Sequence, residues 1–250
     1  MSRGGRWAAW LVILGAVAWS AMETEVSLGR MIEGLPFMWD FLRRMFPPDL
    51  SVLGNALRGA AETIQIAIVG TAVAAVLALP LGFAAARNAA PTWLFYWARG
   101  LLNAFRAVDT LVYALFFVAA VGLGPFPGVL AVMVYTATVL AKLYSEAIEA
   151  IEPGPVEAVR ATGATTLQVL RWGVLPQLVP QFLSFTLYRF ETNIRAAAVL
   201  GFVGAGGIGF YIQTYLRLLN YPAAATVLVV LIGLVMVVDF ASSRLRARLI

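Results

Sequence analysis

Long apolar runs separated by short polar intervals are the feature that most limits what this chain can fold into. A helix needs about 20 apolar residues to cross the hydrocarbon core of a bilayer, and runs of this kind recur along most of the chain. Charged residues make up only 12% of the sequence, against roughly 25% in a soluble domain. Because only helical bundles and closed barrels satisfy their backbone in lipid, we predict an all-α integral membrane protein.

The apolar runs predict about six transmembrane helices, at residues 7–22, 59–86, 93–121, 128–144, 178–203 and 223–240. The third is predicted to be one long helix, and Pro80 is expected to kink the second. The first run follows Arg3 and Arg6 and contains an A-x-A pattern at residues 16–18. A retained span and a cleaved signal peptide therefore both stay open. We favour the span because the run is long and contains three tryptophans.

The interval 23–58 is the longest polar stretch, and its middle is amphipathic. Five apolar residues alternate at helical spacing with three charged ones: Phe37, Met38, Phe41, Leu42 and Met45 against Asp40, Arg43 and Arg44. This pattern predicts a short helix lying along the bilayer surface. The Pro47-Pro48 pair ends it, and Asp49 or Ser51 is expected to cap the next helix. We divide the chain into residues 1–48, a span plus an interfacial helix, and a core at 49–250.

Arginines in the short loops indicate how the chain is oriented. The net charge is +5, which in so apolar a chain points to arginines at the cytoplasmic membrane surface rather than to a nucleic-acid partner. An orientation with both termini cytoplasmic places most of the arginines that lie between or beyond the predicted spans inside, namely Arg3, Arg6, Arg87, Arg160, Arg171 and the tail Arg244, Arg246 and Arg248. The interval 23–58 does not fit this orientation, because it would place Arg30, Arg43, Arg44 and Arg58 outside. The other outer loops contain one arginine, Arg217.

Several kinds of chemistry are excluded by missing residue types. The chain has no cysteine and no histidine, so the usual zinc, copper and haem ligands are absent and we predict no metal site. A Walker A loop needs Gly-Lys-Ser/Thr, and the one lysine, Lys142, has Ala141 and Leu143 as neighbours. We therefore predict no catalytic site and no cofactor in this chain, with ATP bound by partner subunits.

The glycine-rich stretch at residues 204–209 matches G-x-G-x-x-G, but no acidic residue lies between Glu191 and Asp239. A dinucleotide site would need such a residue about 20 positions on. The glycines are instead expected to break the fifth helix or to let it pack closely against a neighbour.

The stretch at residues 146–177 is polar, and it separates the fourth predicted span from the fifth. Pro153-Gly154-Pro155 predicts a break, and a helix is expected to begin near Val156 with Glu157 in its first turn. Gly163 is expected to interrupt that helix, and Leu175-Pro176 to close the segment. Judged on composition alone, this segment is an ordinary cytoplasmic loop with an amphipathic helix.

Three parts of this segment resemble the E-A-A, glycine, I-x-L-P pattern of the permease subunits of ABC importers. They are Glu157-Ala158-Val159, Gly163 and Val174-Leu175-Pro176. The resemblance implies a MetI-like type I permease bundle with a cytoplasmic coupling helix that docks on an ATPase subunit. It assigns that contact to Glu157, Ala158, Arg160, Gly163 and Pro176.

Longer stretches, at residues 99–131, 141–164 and 188–209, are similar to phosphonate-transporter permeases. The similarity implies a non-catalytic subunit of the bacterial inner membrane that moves phosphonate or a related oxyanion by alternating access. The partners it implies are an ATPase dimer, a second permease chain, a solute-binding protein and membrane lipid. Many relatives have a Pro-Glu pair after the Arg-x-x unit, where this chain has Asp109-Thr110 after Arg106-Ala107-Val108, so phosphonate, phosphite and phosphate all stay open as substrates.

Two polar stripes within predicted spans indicate a translocation path. Arg99, Asn103, Arg106 and Thr110 recur at helical spacing on the third span, and Gln181, Ser184, Tyr188, Glu191 and Arg195 do so on the fifth. We expect ion pairs between Glu191 and Arg195 and between Arg106 and Asp109, and Arg189 and Asn193 lie near the second stripe. Interhelical hydrogen bonding and snorkelling arginines are the alternative interpretation.

Three other functions stay open at this point. The chain could be a permease for another small solute such as an amino acid, or a secondary transporter that needs no ATPase, although no inverted halves are visible. It could also be an intramembrane enzyme acting on a lipid phosphate. The acids within predicted spans are scattered rather than clustered as that reaction would need: Glu62, Asp109, Glu191 and Asp239.

Overall fold

The computed structural model describes residues 3–246, which form eleven α-helices and no β-strand. The prediction of an all-α protein is confirmed. The chain divides into two compact units, Met1–Phe46 and Pro47–Ile250. Arg248, part of the predicted cytoplasmic tail, lies outside the described residues.

The first unit consists of α1 (Arg3–Glu23) and α2 (Leu28–Arg44). Ser27 caps α2 by accepting a hydrogen bond from the backbone N–H of Arg30, and Arg44 pairs with Asp40 at 2.8 Å. The helix starts nine residues before the predicted amphipathic stretch and contains Pro36. Its apolar side chains are exposed, including Phe37 and Trp39, and its position at the bilayer surface stays a prediction.

The second unit begins with a 3₁₀ turn (Leu50–Val52) that leads into α3 (Leu53–Ala84). Asp49 caps this turn, as predicted, by accepting a hydrogen bond from the Ser51 backbone N–H at 2.9 Å. Hydrogen bonds from the Ser51 side chain and backbone hold the pKa of Asp49 below its usual value. Helix α3 buries a row of small residues that lets neighbouring helices approach closely: Ala56, Ala60, Thr63, Ala67, Gly70, Ala74 and Ala78.

The third predicted span is not one helix. It consists of α4 (Thr92–Arg106) and α5 (Thr110–Val121), whose axes differ by 82°. Asp109 causes the break because its backbone is extended and its carboxylate accepts a hydrogen bond from the Leu111 N–H at 2.8 Å. This is the geometry of an N-cap, so a new helix starts here. The Tyr113 hydroxyl donates to the Phe105 carbonyl at 2.8 Å and bridges the bend.

Helix α6 (Pro125–Glu149) packs along α3, and this pair forms the centre of the unit. Two glycines of α3 make the close approach possible. A Cβ atom at Gly70 would lie 2.6 Å from Val132 Cγ1, and one at Gly82 would lie 2.9 Å from Tyr144 Cβ. Any larger side chain at these positions would push the two helices apart.

The remaining elements follow without strands or long loops. They are α7 (Pro153–Ala161), α8 (Thr166–Val169), a π-helical turn (Leu170–Val174), α9 (Leu175–Leu200), a 3₁₀ turn (Gly201–Val203), α10 (Ile208–Arg217) and α11 (Tyr221–Arg246). Helix α10 occupies the stretch that we predicted to be an outer loop.

The glycines between α9 and α10 act as predicted, since they break the helix and allow close packing. Gly204, Gly206 and Gly207 have φ values of 82°, 80° and 77°, a region that favours glycine. The Thr63 hydroxyl accepts a hydrogen bond from the Ile208 N–H at 2.8 Å and fixes the start of α10 on α3.

Four helical stretches of the described residues are long and apolar enough to cross a membrane, or five if α4 and α5 count as one bent span. The four are Leu50–Ala84, Pro125–Glu149, Thr166–Arg217 and Tyr221–Leu245. In α1, the apolar helical part Trp10–Glu23 is shorter. The predicted total of six spans, and the retention of the first, therefore stay predictions.

Candidate translocation path and coupling surface

Three buried polar side chains connect the central helices of the second unit. Asn193 on α9 donates from Nδ2 to Thr71 Oγ1 on α3 at 2.8 Å. Thr136 on α6 donates to Asn193 Oδ1 at 3.0 Å. All three residues are buried, so these hydrogen bonds satisfy groups that have no access to water. The network fixes α3, α6 and α9 relative to one another.

Arg189 lies one turn before Asn193 and adds a positive charge to this network. Its Nη2 donates to Asn193 Oδ1 at 3.2 Å, and its guanidinium carbon lies 5.4 Å from the centre of the Tyr135 ring. Its Nε is buried and has no hydrogen-bond partner among the described residues. Within residues 3–246, no carboxylate forms an ion pair with Arg189. Arg189 is thus a half-buried cation that no acidic residue of the described part of the chain neutralises.

Arg195, two turns from Arg189, is by contrast well paired. Its Nη2 donates to Glu191 Oε1 at 2.6 Å, and its Nη1 lies 3.7 Å from Asp239 Oδ2 on α11. The predicted Glu191–Arg195 ion pair is confirmed. The Glu191 side chain is only 11% exposed, whereas that of Arg195 is 47% exposed. The pair ties α9 to α11 and leaves part of the guanidinium at the surface of the chain.

The rest of the α9 stripe is not joined to this pair. Gln181 and Tyr188 are exposed and Ser184 is half-buried. No side-chain hydrogen bond among the described residues links Gln181, Ser184 or Tyr188 to Arg195. A common path for Ser184, Tyr188, Glu191 and Arg195 therefore stays a prediction.

The stripe on the third predicted span is divided by the bend. Arg99, Asn103 and Arg106 lie on α4, while Thr110 is buried at the start of α5, so the four do not share one straight helix face. Asn103 and Arg106 are exposed. The expected Arg106–Asp109 ion pair is wrong, because the Asp109 carboxylate caps α5 instead.

Arg99 contacts the C-terminal end of α6. Its Nη2 donates to both carboxylate oxygens of Glu149 at 2.9 Å, its Nε donates to the Ala85 carbonyl at 3.1 Å, and its guanidinium stacks on Phe95. These contacts join α4 to the ends of α3 and α6, close to the polar segment that follows Glu149.

The residues assigned to ATPase contact lie on the surface of that polar segment. Helix α7 starts at Pro153, three residues earlier than predicted, because proline suits the first turn of a helix. Glu157 therefore lies in the second turn rather than the first. Gly163 ends the helix with φ of 78°, as predicted. All five residues assigned to ATPase contact are exposed: Glu157, Ala158, Arg160, Gly163 and Pro176.

The N-terminal end of α7 is held against the π-helical turn and the start of α9. Gln177 accepts a hydrogen bond from the Glu152 N–H at 3.1 Å and donates to the Gly173 carbonyl at 2.8 Å. Gly173, in the π-helical turn, is buried, and a Cβ there would lie 3.1 Å from Val156 Cα on α7. An open cleft of about 680 Å³ lies beside α7, lined by Ala158, Val159, Thr162, Gly163, Ala164, Gln168 and Trp172. The segment is an exposed, firmly anchored surface.

The sequence prediction did not include several of these residues. Glu149 was not predicted to be a site residue, although its partner Arg99 was in the predicted path. Arg189 and Asn193 lie four residues apart, and this spacing could have identified them as a pair. Thr71 and Thr136 carry no comparable signal, since a threonine within a span is common and its partner lies on another helix.

Residues 78–250 match the family model described as the binding-protein-dependent transport system inner membrane component. The chain belongs to this family. It is therefore a permease component of an inner-membrane transport system, as the resemblance at residues 157–176 implied.

Named relatives cover most of this permease. The phosphite transport system permease protein PtxC of Stutzerimonas stutzeri is 45% identical over 217 residues, which are 86% of this chain and 79% of that protein. The permease protein HtxC of the same organism is 44% identical over 92% of this chain and 82% of its own length. The phosphate-import permease protein PhnE of Mycolicibacterium smegmatis is 39% identical over 86% of this chain, which covers 42% of that longer protein.

Solved structures confirm the fold class. The inward-facing MetNI methionine ABC transporter matches with a TM-score of 0.69 and 24% identity, covering 81% of this permease and 99% of that chain. An amino acid ABC transporter matches with a TM-score of 0.65 and 15% identity, covering 89% and 99%. The permease thus has the MetI-like fold of ABC-transporter permeases.

Proposed function

We propose that this permease imports a phosphorus oxyanion, of the phosphite, phosphate or phosphonate class, as a subunit of an ABC importer. The observation that carries the proposal is the 45% identity over 86% of the chain to a phosphite transport permease. The 39% identity to a phosphate-import permease points to the same chemistry. An osmoprotectant import permease is only 27% identical, which argues against another class of solute.

The ATPase is proposed to dock on α7 and the cleft beside it. The exposed residues Glu157, Ala158 and Arg160 support this role, as does their rigid attachment to α9 through Gln177 and Gly173. A surface that is anchored in this way transmits a push to the transmembrane helices rather than absorbing it. ATP is proposed to bind only to the partner subunits, and this chain is proposed to be non-catalytic, with both termini cytoplasmic.

The translocation path is proposed to include the exposed residues Asn103 and Arg106 of α4 and Tyr188 and Arg195 of α9, with a second permease chain opposite. The two chains are related by a two-fold axis if they are identical, and a related permease could replace one of them. A solute-binding protein delivers the oxyanion at the outer face. Alternating access then follows from ATP-driven movement of the two coupling segments.

One experiment tests the function directly. The permease is purified with its native partners, reconstituted into liposomes, and assayed for ATP hydrolysis and uptake with phosphite, phosphate, methylphosphonate and sulfate. We expect a phosphorus oxyanion, and not sulfate, to stimulate ATP hydrolysis and to accumulate in the liposomes. Failure to co-purify an ATPase, or equal uptake without ATP, would contradict the importer assignment.

A further inference from the structure

Two arginines of α9, Arg189 and Arg195, differ in how their charge is balanced. Arg195 has two carboxylate partners, Glu191 and Asp239, so an incoming anion would compete with both. Among the described residues, Arg189 donates a hydrogen bond to the neutral oxygen of Asn193 and lies over the ring of Tyr135, and no carboxylate pairs with it. Since an isolated cation inside a membrane bundle is costly, Arg189 is stabilised whenever an anion reaches it.

One hydrogen-bond donor of Arg189 also has no acceptor among the described residues. Asn193 Oδ1 already accepts from Thr136 as well as from Arg189, and Asn193 Nδ2 donates to Thr71. The buried Nε–H of Arg189 has no acceptor, although a buried donor without a partner is unfavourable. The missing partner is therefore an acceptor that the described residues do not supply.

The position of Arg189 along α9 favours a transported anion over a lipid headgroup. Counted from Leu175, Arg189 is residue 15 of the 26 in α9, so at about 1.5 Å per residue it lies about 17 Å from one end of the helix and about 21 Å from the other. The hydrocarbon core extends only about 15 Å on each side of its midplane. A lipid headgroup phosphate would stay near the surface, whereas a transported ion passes this depth.

From these contacts we propose that Arg189 binds the phosphorus oxyanion in transit, through its Nε–H and a neighbouring Nη–H. A guanidinium offers two parallel donors that match two oxygens of a tetrahedral oxyanion. The Thr71–Asn193–Thr136 network and the Tyr135 ring hold the guanidinium plane in position for this contact. The proposal rests on the function proposed above and adds to it the residue that binds the substrate class inside the membrane.

The test uses the reconstituted importer with its ATPase and binding protein, carrying Arg189→Met, Arg189→Lys or the control Arg217→Met. Arg217 is exposed at the end of α10 and lies outside both proposed sites. We expect Arg189→Met to lower phosphite and phosphate uptake on the order of tenfold or more. Arg189→Lys keeps the charge but loses the two-pronged geometry, so it should retain intermediate uptake. Arg217→Met should transport like the unaltered chain.

The outcomes separate the possible explanations. Unaltered uptake by Arg189→Met overturns the binding role while leaving the importer function intact, whereas absence of uptake by the unaltered chain overturns the importer function itself. If Arg189→Met does not assemble, Arg189→Lys decides: reduced uptake supports the binding role and full uptake overturns it. Repeating the assay in liposomes of phosphatidylcholine alone and with added phosphatidylglycerol identifies the ligand. A defect seen only with the anionic lipid would assign Arg189 to a lipid headgroup and overturn the proposal.

Discussion

Arg99 Nη2 donates to both carboxylate oxygens of Glu149, each at 2.9 Å, and so joins the middle of α4 to the last turn of α6. The Glu149 carboxylate also accepts a hydrogen bond from the Arg87 backbone N–H at 2.6 Å. The side chains of Arg99 and Glu149 are 27% and 29% exposed, so this ion pair is largely shielded from solvent. It fixes the point at which α6 ends, four residues before α7 begins.

Glu149→Gln should therefore destabilise the second unit. The substitution removes the charge that accepts three hydrogen bonds, and we expect a loss of about 1–3 kcal/mol in the free energy of unfolding. Thermal unfolding of the detergent-purified protein measures this. Glu146→Gln is the matched control, because Glu146 is 53% exposed and pairs with Lys142 at 3.1 Å, a contact worth about 0.5 kcal/mol or less. Equal effects of the two substitutions would contradict the structural role of Glu149.

Gly173→Ala should weaken the link between the coupling segment and the bundle. A Cβ at this position would lie 3.1 Å from the backbone of Val156, so α7 must move away from the π-helical turn. We expect less uptake per ATP hydrolysed, because the coupling segment then transmits movement less well, and local strain of about 1 kcal/mol. The ratio of uptake to ATP hydrolysis in liposomes measures this.

The control for this change is Gly154→Ala in α7 itself. An added Cβ there meets no atom within 4 Å, and the residue lies in the first turn of the helix. Its coupling ratio should equal that of the unaltered chain. A normal ratio for Gly173→Ala would mean that the close contact with Val156 does not transmit force.

Substitutions at Arg195 can separate assembly from transport. Arg195→Met leaves the Glu191 carboxylate, only 11% exposed, without its closest cation, and burial of an unpaired charge is unfavourable. We expect reduced yield of the assembled complex. The double change Glu191→Gln and Arg195→Met removes both charges and should recover assembly, while uptake stays low because the proposed path has lost its arginine. Full uptake by the double variant would remove Arg195 from the path.

The sequence predicted the elements that depend on local composition, and it did not predict those that depend on distant partners. Hydropathy located most spans to within a few residues, and Gly163 identified the end of α7 because it acts on its own backbone. The start of α7 was predicted three residues too late, because Pro153 begins the helix instead of breaking the chain before it. The 82° bend at residues 107–109 contains neither proline nor glycine. Asp109 was expected to pair with Arg106 and was not predicted to cap a helix, although aspartate before a threonine and an apolar run is also an N-cap pattern.

The hydrogen-bond network of the candidate site could not be predicted for a different reason. Thr71 and Asn193 are separated by 122 residues and Thr136 and Asn193 by 57, so their contact depends on how α3, α6 and α9 pack. Helical spacing identified Glu191 and Arg195 because both lie on one helix. Helical spacing could not identify Asp239, which also contacts Arg195, because Asp239 lies on α11.

Gly209→Ala tests the tightest packing in the second unit. A Cβ at Gly209 would collide with the Ala198 carbonyl oxygen, and one at Gly201 would collide with the Phe210 backbone nitrogen. Because both obstacles are backbone atoms, neither can rotate away, and we expect a loss of about 3 kcal/mol or more. Gly233→Ala in α11 is the control, since its Cβ meets no atom within 4 Å and alanine favours a helix by up to about 1 kcal/mol. Fluorescence-detected size-exclusion chromatography after graded heating measures both variants. Similar unfolding midpoints would mean that α9 and α10 can separate without loss of the fold, so the glycines would then serve movement rather than packing.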